Sequence, residues 1–61
     1  MNVRSLYRIA MAIENLLDDI VDERVSDDTE VLEVMLDAKR LCDILGQEIG
    51  NYIKRLAKGD S

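Results

Sequence analysis

Carboxylates are the groups of this 61-residue chain best placed to do chemistry, and they are crowded: residues 16 to 30, LLDDIVDERVSDDTE, hold seven of them beside one arginine. Two sets have the spacing that brings acids to one side of a helix, Glu14, Asp18 and Asp22 in one and Glu30, Glu33 and Asp37 in the other. Arranged on facing helices, such groups are the hard oxygen ligands that Mg²⁺ takes and that metal-assisted hydrolysis needs. Other chemistries have less to work with. The chain has no histidine and one cysteine, Cys42, so a thiol nucleophile has no imidazole to activate it. Zinc sites and Glu-x-x-His di-iron centres are disfavoured for the same lack.

The acid rows are similar in kind to those of the all-helical nucleotide pyrophosphohydrolases, which set ExxE and ExxD elements on facing helices. Glu30-Val31-Leu32-Glu33 matches the first element, no ExxD follows it, and the basic and aromatic substrate groups of those enzymes have no counterpart here. That resemblance implies a Mg²⁺-dependent enzyme as an alternative. The residues themselves favour a non-enzymatic protein with no metal and no cofactor.

The distribution of charge says more than any motif. Residues 14 to 37 hold ten acids against Arg24 alone, a net of −9, and the rest of the chain carries +4 within an overall −5. Such a balance disfavours unspecific nucleic-acid binding, which depends on Lys and Arg displacing counterions from phosphates. A basic protein surface is the better match. No run approaches the roughly 20 apolar residues of a membrane span, and Ile9 to Ile13 is too short for a signal-peptide core. With a lone cysteine, the expected compartment is the reducing cytoplasm.

Two elements must carry these groups. Val3, Leu6, Ala10, Ile13, Leu17 and Ile20 alternate three and four apart, widened by Ile9, Leu16, Tyr7 and Val21, which predicts an amphipathic helix over about 2–24. The spacing returns at Val31 and runs through Met35, Ala38, Cys42, Leu45, Ile49, Tyr52 and Leu56, with Val34, Leu41 and Ile53 alongside, for a second helix over about 28–58. Asp27 followed by Glu30 reads as a capping box, with Ser26 as the competing cap. The connection, about 25–27, is short enough to make the helices antiparallel neighbours.

The expected fold is therefore all-α, one helical-hairpin domain over residues 1–61. Each apolar face spans about half the helix circumference, too wide for one neighbour to cover. Two hairpins pairing into a dimeric four-helix bundle would close both faces. Cys42 and Tyr52 fall on the most regular apolar line; Cys42 is expected in the core, and Tyr52 in the core or at a dimer contact rather than as a stacking platform for a base. Folding about Ser26 sets Tyr7 opposite Gly46 and Val3 opposite Gly50, so residues from about 51 onward overhang by on the order of 10 Å. The overhang carries Tyr52, Ile53 and Leu56 beside Lys54, Arg55 and Lys58, a candidate contact for a second copy docked head to tail. Three readings fit Gly46 and Gly50: a dent for the Tyr7 ring, an early end to helix two, or incidental glycines. Leu36 and Ile44 lie off the stripe, as ordinary exposed residues or as part of a partner patch, and Lys58 to Ser61 are expected to fray.

Asp28, Glu30 and Glu33 suit the positive end of the second helix dipole, whereas Asp18, Asp19, Asp22 and Glu23 oppose the dipole at the end of the first. The tip acids Asp18, Asp19, Asp22, Glu23, Asp27 and Asp28 are accordingly the candidate partner-binding site. In length and predicted architecture the chain resembles the small dimeric Rop-type helical hairpins, antiparallel four-helix bundles that bind paired RNA loops. The resemblance implies RNA contact along helix one, where this chain offers Arg4, Arg8 and Asn15 among its acids. The residues point instead to a small acidic regulator or inhibitor that docks on a basic or apolar surface of a partner protein, with nucleic-acid-binding proteins among the candidates.

Overall fold

A computed structural model of the chain describes residues 2–58. Among them the secondary structure is two helices and no strand, α1 (Val3–Val21) and α2 (Asp28–Ala57), folded against each other as a hairpin. At 1.5 Å per residue the helices are about 28 and about 45 Å long. The molecule measures 50 × 16 × 13 Å, so it is a rod one helix thick.

Each helix starts on a side-chain cap. The Asn2 side chain accepts from the Ser5 N–H at 2.9 Å, and Asp27 accepts from the N–H groups of Thr29 and Glu30 at 3.1 and 3.4 Å. Asp27 is thus the N-cap and Ser26 is not. The end of α1 departs from expectation: the helix stops at Val21 rather than near 24, and the link spans residues 22–27. The cause is Glu23, whose φ of 61° turns the backbone left-handed. This reversal lets the Glu23 N–H reach the Ile20 carbonyl at 3.0 Å and the Arg24 N–H reach that of Asp19 at 2.9 Å, the paired bonds of a Schellman stop. Glycine usually takes that position, and none stands here to announce it.

The seam between the helices is formed by Leu6, Ile9, Ile13, Leu16 and Ile20 on α1 and by Val31, Val34, Ala38, Leu41, Leu45 and Tyr52 on α2. Ala38 is the one residue among those described that is buried, at 6% exposure; its neighbours are only half-buried. A second apolar line runs beside each seam and is open to water. On α1 it is Val3, Ala10 and Leu17 with Tyr7 and Val21, and on α2 it is Met35, Cys42 and Ile49 with Ile53 and Leu56. Each open line is displaced from its seam in the same rotational sense, which in an antiparallel pair puts both on one side of the hairpin. The other side carries Arg8, Asn15, Glu33 and Asp37.

Three expectations change with this packing. Cys42 is exposed, because it lies on the open line and not on the seam. Tyr52 is half-buried and shares a concavity with Asn2, Arg55 and Leu56, so the free end of α2 starts about half a turn later than expected. Tyr7 is 62% exposed, and a Cβ built on Gly46 or Gly50 meets nothing within 4 Å, so no ring fills the dent. Nor do the glycines end α2, which runs through both to Ala57. Lys58 caps α2, and the remaining residues of the expected frayed tail, 59–61, lie outside those described.

A left-handed conformation costs a non-glycine residue about 1–2 kcal/mol, part of which glycine returns through its greater freedom in the unfolded chain. Glu23→Gly should therefore raise stability by about 0.5–1 kcal/mol. Urea unfolding at fixed protein concentration measures it, and an unchanged or lower midpoint contradicts the assignment of this turn.

Candidate functional site

The tip gathers the six acids singled out in the sequence at one end of the rod, and the structure divides them into two groups. Arg24 sits between two of them, its Nε 3.2 Å from Asp19 Oδ1 and its Nη2 3.2 Å from Asp22 Oδ2. Asp27 is occupied in capping α2. All three have local work: Asp27 caps α2 as its sequence context predicts, whereas the pairing of Asp19 and Asp22 departs from the expectation that the acids at the end of α1 only oppose its dipole. The effect is small, since the Arg24 side chain is 62% exposed and pairs of this kind contribute at most about 1 kcal/mol. Asp18, Glu23 and Asp28 are exposed, and no ion pair engages them among the described residues.

The two acid sets do not meet. Glu14, Asp18 and Asp22 lie on the outer flank of α1, away from α2, while Glu30, Glu33 and Asp37 turn to the polar side of α2. Among the described residues no group of three or more Cys, Asp or Glu side chains is placed to hold a metal ion. Asp37 pairs instead with Arg40 at 3.5 Å, and Lys39 with Asp43 at 3.0 Å.

At the other end, the residues expected to form the overhang contact behave unequally. The Arg55 guanidinium lies over the Tyr52 ring at 5.1 Å, a cation–π contact that holds both near the hairpin's own end. Ile53 and Leu56 are 57% and 66% exposed, and Lys54 and Lys58 are exposed beside them. Arg4 and Arg8, the bases of helix one, line a shallow concavity with Val3 and Tyr7. Leu36 and Ile44 are exposed on separate faces of α2.

Sequence reasoning missed the open line as a site in its own right. Its residues share one heptad with the seam, and spacing alone does not say which line meets the neighbouring helix. The dent at Gly46 belongs to that open line and is unfilled. Among the described residues no helix is long and apolar enough to cross a membrane. Comparison of the chain with protein-family models, with curated proteins and with solved structures finds no match. The Rop-type resemblance therefore rests on length and two-helix architecture alone.

The division of the acids is testable through stability. Asp18→Lys removes a like-charge neighbour of Glu14 and Asp22 and suits the dipole, so it should raise stability by a few tenths of a kcal/mol, about 0.3–0.8. Asp27→Ala should lower it by about 1 kcal/mol through loss of the cap. Thermal unfolding of the two variants gives opposite signs if the assignment holds.

Proposed function

We propose that the chain is a non-catalytic interaction protein: a hairpin that pairs with a second copy into a four-helix bundle and presents its acidic tip to a basic surface of a partner protein, as a small regulator or inhibitor. The observation that carries this reading is the uncovered apolar side of the rod. Eight large apolar residues on that side, Val3, Tyr7, Leu17 and Val21 of α1 and Met35, Ile49, Ile53 and Leu56 of α2, are 38% exposed or more, while only Ala38 is buried among the described residues. Apolar area on that scale marks an interaction surface.

Affinity in such an assembly comes from apolar closure, and charge contributes orientation and choice of partner. The tip suits the second role, because Asp18, Glu23 and Asp28 are free of local pairing and stand at the end of the rod, clear of the apolar side. A basic surface that normally meets phosphates offers the matching array of Lys and Arg, which is why nucleic-acid-binding proteins are favoured partners. A lone thiol fits a reducing cytoplasm as the place where this happens.

Sedimentation at micromolar concentration should give twice the chain mass of 6.9 kDa, and a stably folded monomer would overturn the pairing. For the tip, the triple variant Asp18→Lys, Asp19→Lys, Asp22→Lys should lose capture of a basic protein from lysate at least about tenfold, with helix content retained, and 0.5 M salt should mimic the loss in the native protein. Equal capture by the native and reversed proteins defeats the docking reading.

A further inference from the structure

The open side of the hairpin has an internal symmetry that says how a second copy would lie on it. Along α2 the open line reads Met35, Cys42, Gly46, Ile49, Ile53 and Leu56; along α1 it reads Val3, Ala10, Leu17 and Val21, with Tyr7 at its outer edge. Small residues occupy the middle of each line, and one pair of large apolar residues flanks it at matching distances on each helix, Met35 and Ile53 on α2 and Val3 and Leu17 on α1. The middles are also level. Asn2 lies beside Tyr52, so a residue of α1 and its neighbour on α2 have numbers that add to about 54, which places Ala10 beside the stretch between Cys42 and Gly46.

Resting on the self-pairing proposed above, we infer that the second copy covers this side head to tail, related by a twofold axis that crosses α2 between Cys42 and Gly46 and α1 at Ala10. Such an axis makes the contact isologous: Met35 lies over the partner's Ile53, Val3 over the partner's Leu17, and Cys42 over the partner's Gly46. The large residues of one copy then flank a narrow waist built from Ala10, Cys42 and Gly46, where the helices approach at the short end of the 8–10 Å range. The open dent at Gly46 is what that approach requires, since nothing of the chain's own lies within 4 Å of a Cβ there.

The exposed area suffices for a second copy, and charge sets its direction. The accessible surface is 4809 Å², against roughly 4000 Å² for a compact monomer of 6.9 kDa. The excess of about 800 Å² is what each side of a standard protein interface buries. In the head-to-tail arrangement Arg4 comes level with the stretch between the partner's Glu14 and the partner's Asp18, on the flank that borders the open line of α1. Lys54 and Lys58, at the free end of α2, come toward the end of the rod where the partner's acidic tip lies. A head-to-head pair would set the two tips, each −9 over residues 14–37, side by side.

Two measurements test the arrangement. Gly46→Leu adds a side chain where the hairpin has open space and removes a helix-weakening glycine, so helix content should hold or rise while the dimer weakens roughly 10- to 100-fold in sedimentation. Spin labels in a Cys42→Ala background then report orientation. Labels at Gln47→Cys, near the axis, should lie within about 25 Å of each other, and labels at Thr29→Cys, near the tip, about 45 Å apart. Thr29 labels as close as the Gln47 labels, or a Gly46→Leu dimer as tight as the native one, overturn the inference while the self-pairing stands. A native chain that sediments as a folded monomer removes the pairing itself.

Discussion

Two helices lying side by side make a layer one helix thick, and a single layer cannot enclose a core. Folded domains bury their apolar faces between layers, and this rod, 13 Å in its thinnest direction, has one. The burial pattern follows directly: a seam of half-buried aliphatic residues, one buried alanine, and an apolar side left to water. Everything proposed for the protein derives from that missing second layer.

Helical period converts the shortage into a division of labour. Residues seven apart stay on one line, and each helix carries two such lines, about 40–60° from one another. On α2 the line Val31, Ala38, Leu45 and Tyr52 meets α1, and the line Met35, Cys42, Ile49 and Leu56 does not. A helix in a four-helix bundle touches two neighbours, and this arrangement provides one line for each. The small residues at the centre of the open lines, with the large ones outside, suit a contact between identical surfaces better than a contact with an unrelated groove.

Charge is arranged along the other axis of the problem. The tip acids lie at the end of the rod, and half of them have local duties, as partners of Arg24 or as the cap of α2. Of the others, Asp28 suits the dipole of α2, whereas Asp18 and Glu23 oppose that of α1, and Asp18 repels Glu14 and Asp22, a modest loss that local structure does not offset. Basic groups belonging to another molecule, whether a second copy or a different protein, would offset it. Exposed pairs contribute little energy in water, so the tip is suited to steering and selection, and the apolar side to adhesion.

The sequence by itself determined two amphipathic helices, the cap at Asp27, the absence of a membrane-spanning run and the acidic polarity of one end, because each depends on residues close together in the chain. Tertiary structure alone decided where α1 stops, which apolar line each helix turns inward, and the exposure of Cys42, Tyr7 and the glycine dent. The stop escaped notice because Glu23 takes a left-handed conformation that glycine normally signals, and the bonds from Glu23 N–H to Ile20 and from Arg24 N–H to Asp19 exist only once the turn has formed. The choice between lines escaped it because a period of 3.6 defines the width of an apolar face and leaves open which part of that face meets the neighbouring helix. That choice depends on the rotation of each helix about its own axis, set by the link and by the fit of side chains across the seam.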